Sequence, residues 1–151
     1  MLRLSKKLLF AVEAVVDIAY HAGSDPVRSI DISRRQGIPR RYLEQVLQHL
    51  VHHNILTGQR GPRGGYRLAR EKRRISLGEI VRIVHKLENS NDPTNEPDGS
   101  DIGLKVVRPL WSEVQNEAMA RFDEITVDQL CERARQKDIP SEAAVVSDFV
   151  I

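Results

Sequence analysis

The chain predicts a mainly α-helical fold with one small β-hairpin, followed by a long helix that stands apart. Three observations carry this prediction. Two short helical patterns, residues 29–36 and 39–53, are joined by Gly37-Ile38. The basic, glycine-rich run Arg60-Gly61-Pro62-Arg63-Gly64-Gly65-Tyr66 comes soon after. Further on, Val107, Trp111, Val114, Ala118 and Phe122 recur by fours and threes, the spacing of an apolar seam on one helix. Two helices around a tight turn, with a hairpin behind them, form the layout of a winged helix-turn-helix. Such a unit sets one helix in the major groove of DNA and lays the hairpin along the flanking backbone.

The elements follow in order. Leu8, Leu9, Val12, Val15, Val16 and Ala19 predict a first helix over residues 5–22, with Glu13 and Asp17 on its solvent side and Gly23 ending it. Asp25-Pro26 marks a turn. Ser29 is the expected N-cap of a second helix, with Ile32 pointing inward. Gly37 suits the left-handed close of that helix, and Pro39 suits the start of the next. In the third helix Leu43, Val46, Leu47 and Leu50 form the buried stripe. That leaves Arg40, Arg41, Glu44, Gln45 and Gln48 facing out. Residues 55–59 and 66–69 read as strands around the glycine-rich tip.

Ser76 and Glu79 form a capping box opening a fourth helix, in which Ile80, Val81, Ile83 and Val84 are available for packing. Residues 89–103, rich in Asn, Asp, Pro and Gly, read as a flexible loop. The seam helix spans about 107–123 and is roughly 25 Å long. One small domain does not need so long a seam, so a partner subunit is its natural acceptor. Thr126 and Gln129 make a second capping box before a last helix with Val127, Leu130, Cys131 and Ala134 on one side. The expected organisation is a winged helix-turn-helix unit over 1–88, the loop over 89–103, and a dimerisation helix with a C-terminal helix over 104–138. An apolar tail, 139–151, completes it.

Charge divides along the chain. Residues 1–75 hold 15 Lys and Arg against 6 Asp and Glu, a net +9; residues 76–151 hold 8 against 15, a net −7. Only the first half suits a polyanion. Cys131 is the single cysteine, which excludes a disulfide or an all-thiolate metal site within one chain. The apolar run after Lys6-Lys7 is broken by Glu13 and Asp17 and lacks a cleavage site, so a soluble cytoplasmic protein without a membrane segment is expected. Neither a nucleophile–base pairing, nor a phosphate-binding loop before a helix, nor an HExxH motif is present, and an enzyme is not expected.

Five segments, in order and at their separations, resemble the bacterial Rrf-two family of winged-helix transcriptional regulators, the family of IscR, NsrR, RirA and CymR. They are Asp31-Ile32-Ser33 with Gln36-Gly37-Ile38, Tyr42-Leu43-Glu44-Gln45, Arg60 through Leu68, Leu77-Gly78-Glu79-Ile80, and Leu110-Trp111. The resemblance implies a homodimer whose long helices pair across a two-fold axis through Val107, Trp111, Val114, Ala118 and Phe122. Such dimers read pseudo-palindromic operators on double-stranded DNA.

Arg40, Arg41 and Tyr42 then stand in the first turn of the recognition helix, where guanidinium groups hold phosphates or guanine. Glu44 can accept from cytosine N4, and Gln45 can pair with adenine. These two are the expected base readers, against the plainer reading of Glu44 as a solvated carboxylate at a dipole-positive helix end. The resemblance places Arg60 in the minor groove. Gly61, Gly64 and Gly65 would let the wing backbone turn tightly and approach the sugar-phosphate rail, and Arg63 would add a contact. Ser5, Lys6, Arg67 and Arg70 are lesser phosphate candidates; Arg63 and Arg70 could equally be solvated charges.

The resemblance also exposes a departure. Many relatives hold an iron–sulfur cluster through cysteines in the loop before the long helix, and some add a histidine before its Leu-Trp pair. Here residues 89–103 contain no cysteine, and Arg108-Pro109 stands where that histidine would be. No cluster and no other cofactor is expected. Cys131, on an apolar helical stripe, reads as a buried structural thiol rather than a thiol switch. His49, His52 and His53 read as solvated or dipole-stabilised side chains rather than metal ligands, and Asp92, Glu96, Asp98 and Asp101 fit no calcium loop. An unidentified small-molecule or protein effector stays open. The leading expectation is a repressor; the alternative is an interaction adaptor acting through a partner protein.

Overall fold

In the computed structural model, which describes residues 4–88 and 92–143, hydrophobic periodicity is translated into six helices and one hairpin. They are α1 (Lys6–Tyr20), α2 (Ser29–Gln36), α3 (Arg40–His52), β1 (Leu56–Gln59), β2 (Gly65–Leu68), α4 (Leu77–Leu87), α5 (Arg108–Glu124) and α6 (Val127–Gln136). The apolar residues 144–151 of the expected tail lie outside the described residues.

The core is built where the apolar stripes converge. α1 gives Leu8, Ala11, Val15 and Ile18, α2 gives Ile32, and α3 gives Leu43, Leu47 and Leu50. Ile80 and Val84 of α4 and Val127 and Cys131 of α6 close it. Each fully buried aliphatic side chain of leucine size contributes about 1.5–3 kcal/mol. This packing fixes the roll of α3 and so decides which of its side chains face out.

Local signals act as expected at most boundaries. Gly37 ends α2 at φ 65°, a left-handed conformation that glycine adopts without penalty. The Ser76–Glu79 and Thr126–Gln129 capping boxes are both formed. β1 and β2 pair antiparallel, with Leu56 opposite Leu68 and Gln59 opposite Gly65. Val27 adds a third edge: its amide donates to the Tyr66 carbonyl at 2.9 Å, and its carbonyl accepts from the Tyr66 amide at 2.7 Å.

Three expectations are corrected. Asp17 is not on the solvent side of α1 but buried, 2% exposed. Arg35 grips it with Nε at 2.9 Å and Nη2 at 2.8 Å, and Gln36 Nε2 donates to it at 2.7 Å; a paired and hydrogen-bonded carboxylate can be buried. Ser29 is the first residue of α2 rather than its cap, a position held by Arg28 with no side-chain cap bond. The long helix begins before Val107. Residues 101–102 are helical and lead through a π-helical turn, Gly103–Val107, into α5. Ser100 starts it, its Oγ accepting from the Gly103 amide at 3.1 Å. The preceding segment is tied down as well: Arg108 donates to the carbonyls of Glu96 and, at 2.7 Å, Asp98.

Candidate nucleic-acid interface

The outward face of α3 is the stripe its core packing leaves over. Arg40, Arg41 and Tyr42 in the first turn are exposed, as are Glu44, Gln45 and Gln48 beyond them. Arg40 Nε lies 3.4 Å from Glu44 Oε1, so each is already partnered across one helical turn, an exposed pair easily exchanged for other contacts. His49, on the same helix, titrates below its ordinary range. Burial is the main cause, and the nearby charges of His53, Lys7 and His52 add to it. His53 Nδ1 is bonded to the His49 carbonyl at 2.9 Å, and its ring meets that of His52 edge to face.

The wing stands beside this face. Arg60 and Arg63 at its tip are exposed. The glycines of the wing have intramolecular reasons to be glycine. Gly61 sits at φ 108°, a left-handed value that other residues avoid. A Cβ on Gly64 would lie 2.3 Å from the Gln59 carbonyl oxygen, and one on Gly65 would lie 2.5 Å from that of Val27.

Between α3 and the wing lies an open cleft of about 610 Å³, lined by Arg28, Ser29, Arg40, Gln48, Arg60 and Tyr66 among others. Arg28, Ser29 and Tyr66 were not expected at this face from the sequence. The Val27–Tyr66 bridge brings the start of α2 to β2, a pairing that no local pattern announces. Gln48 was legible, since Arg40, Glu44 and Gln48 recur by fours.

Several lesser candidates also bond within the chain. Ser5 caps α1, its Oγ accepting from the Leu8 amide at 3.1 Å, and it donates to Glu88. Arg67 donates to the carbonyls of Gly23 and Ser24. Arg70 bonds the Arg74 carbonyl at 3.1 Å and Glu79 Oε1 at 3.0 Å. Lys6 remains exposed at the head of α1.

The long helix presents a second surface. Trp111 is 52% and Val114 55% exposed, and Val107 is similar. Ala118 is half-buried, while Phe122 packs with Met119 against the core of its own chain. Ile102, Val106 and Leu110 are exposed as well and widen the apolar strip.

The donors for an iron–sulfur cluster are wanting. Cys131 is wholly buried, and burial pushes its thiol up. The segment before α5 offers carboxylates and carbonyls but no thiol, and Asp92 is occupied in a turn, accepting from the Thr94 amide at 2.9 Å. Among the described residues, no group of three His, Cys, Asp or Glu could hold a metal ion. The residues present therefore do not fit a cluster, which is held by several thiolates. No helix among the described residues is long and apolar enough to cross a membrane.

A helix-turn-helix whose exposed basic stripe adjoins a basic wing defines a DNA-binding transcriptional regulator of the winged-helix class. Comparison with known proteins narrows this. The model of the Rrf2 family, described as Iron-dependent Transcriptional regulator, matches residues 4–133, and the chain belongs to that family. These are regulators, not enzymes. The HTH-type transcriptional regulator IscR of Sodalis glossinidius is 33% identical over 141 residues, covering 91% of this chain and 84% of the relative. That of Vibrio cholerae is 32% identical over 129 residues, covering 85% and 75%. Among solved structures, IscR of T. potens superposes with a TM-score of 0.73 at 31% identity, covering 93% of each chain. CymR of B. subtilis shares the fold at a TM-score of 0.72 and 23% identity, over 88% of this chain and 98% of that one.

Proposed function

We propose that this chain is a cytoplasmic repressor that binds a pseudo-palindromic operator as a homodimer and works without an iron–sulfur cluster. One observation carries the reading: the stripe Arg40, Arg41, Glu44, Gln45 and Gln48 is exposed directly beside a cleft rimmed by Arg28 and Arg60. With α3 in a major groove and the wing over the neighbouring minor groove, the sugar-phosphate strand between them passes through that cleft. Glu44 and Gln45 read bases; Arg40, Arg41, Tyr42, Arg60, Arg63 and Lys6 hold the backbone or the minor groove. Residues 1–88 form the reading head. The strip from Ile102 to Val114 joins two copies and spaces two heads for successive grooves.

Selection of bound fragments from the source genome, with sedimentation at micromolar concentration, tests this. An enriched inverted repeat bound by a dimer is the expected result. Indifference to every fragment, and to heparin as a competitor, would favour the adaptor reading. Purification without oxygen is expected to give a colourless protein; a cluster absorbing in the visible would overturn that part.

A further inference from the structure

Beyond α6 the chain turns back over its own reading head. The Tyr20 hydroxyl donates to the Ile139 carbonyl, and Ser141 Oγ donates to the Tyr20 carbonyl at 2.8 Å. The Glu142 amide donates to His21 Nδ1 at 3.1 Å. The Glu142 carboxylate then reaches α2, lying 3.0 Å from Arg35 Nη1 and 3.5 Å from Arg34 Nη2. Residues 139–142 thus fasten the end of the last limb to α1 and α2, the pair that seats the recognition helix.

One member of this contact can change charge near neutral pH. The His21 side chain is 8% exposed. Its Nδ1 can accept from Glu142 only while its single proton sits on Nε2, which lies 3.8 Å from Asp17 Oδ2. A second proton would set an N–H on Nδ1 against the N–H of Glu142, two donors face to face. We propose that residues 139–142 form an acid-released strap, held shut by neutral His21 and opened when His21 is protonated.

The surroundings set the direction. The charged groups facing His21 are Asp17 from α1, Arg35 from α2 and Glu142 from the strap, with the Tyr20 ring against its edge. Burial disfavours the imidazolium most, Arg35 opposes it too, and Asp17 and Glu142 favour it; the outcome is a pKa below the ordinary histidine value. Because the Glu142 amide needs Nδ1 without a proton, the closed strap binds fewer protons than the open one. Closure is fully favoured above the ordinary histidine value of about 6.5 and weakens as pH falls through it. Opening withdraws Glu142 from Arg34 and Arg35, leaving Asp17 as the anchor of α2.

Hydrogen exchange by NMR reads the strap through the Glu142 amide. The expected result is protection at pH 7.5 that falls by up to about tenfold per pH unit below 6.5, while the core amides of Leu47 and Ile80 keep theirs. His21→Phe removes the acceptor and should abolish both the protection and its pH response; Glu142→Gln keeps the amide bond and should keep the response. Equal Glu142 protection at pH 7.5 and 5.5, or protection persisting in His21→Phe, would overturn the proposal. Should His21→Phe fail to fold, the contrast between Glu142 and the core amides in the unaltered protein decides the matter.

Discussion

Arg82 of α4 and Asp123 of α5 meet as a two-pronged ion pair, Nη1 to Oδ1 at 2.6 Å and Nη2 to Oδ2 at 2.7 Å. Arg82 holds the Asp123 carboxyl below its ordinary range. Beneath the pair sits Gly78, where an added Cβ would lie 1.8 Å from Asp123 Oδ1 and 3.1 Å from its amide nitrogen. A methyl at this joint between reading head and long helix would have to push the Asp123 carboxylate aside.

Both charges are well exposed, so the pair itself contributes at most about 1 kcal/mol. Gly78→Ala, by contrast, should cost about 1–3 kcal/mol in urea unfolding. Adding Asp123→Ala should recover part of that loss. A strictly additive double-mutant cycle would mean that no clash had been relieved.

The buried carboxylate makes a sharper case. Arg35→Met leaves the Asp17 charge inside the protein without its guanidinium partner, beside Gln36 and His21. A loss of about 3–5 kcal/mol is expected. Asp17→Leu combined with Arg35→Met should cost less than Arg35→Met alone. If the double variant is the weaker, burial of an unpaired charge is not the cause.

Base reading and backbone holding separate by specificity. Glu44→Ala or Gln45→Ala should cost roughly 1–3 kcal/mol on a matched operator and little on scrambled duplex. Equal losses on both would remove them as readers. Arg60→Ala and Arg63→Ala should weaken both duplexes and lower the slope of log affinity against log salt by about 1 each. An unchanged slope would place them off the DNA.

Removing the indole at position 111 tests the seam. Trp111→Ala is expected to weaken self-association by about 2 kcal/mol or more if that ring is an anchor, seen in sedimentation as a shift toward monomer. Val114→Asp should act in the same direction. Helical circular dichroism unchanged in either variant would separate lost pairing from lost folding. A dimer unaffected by both changes would rule this strip out.

Cys131 should behave as a core side chain. Buried and with its thiol pushed up, it should react with an alkylating reagent at pH 8 at least about 100-fold more slowly in the native protein than in urea. Comparable rates would reopen it as a thiol sensor.

Much of this architecture is legible in one dimension because its causes are local. The 3.6-residue period of Leu43, Val46, Leu47 and Leu50 rolls α3 so that Arg40, Glu44 and Gln48 face out. Gly37 supplies its turn by conformation alone, and two capping boxes mark helix starts within four residues. Position 17 shows where such reasoning stops. An aspartate between apolar neighbours reads as solvent-facing until partners 18 and 19 residues away, Arg35 and Gln36, are brought onto it. The long helix likewise starts ahead of its apolar seam, at Ser100, while Arg108 ties down the residues before it through the carbonyls of Glu96 and Asp98.

By itself, then, the sequence determined the helices, the turn, the hairpin and the exposed side of α3, because periodicity and backbone preference act over a few residues. Tertiary structure alone decided that Ser5, Arg67 and Arg70 find hydrogen-bond partners within the chain, that Asp17 is interior, and that Glu142 returns to α2. Those outcomes depend on which distant segments come within hydrogen-bond reach, a property of the packed core rather than of any neighbourhood along the chain.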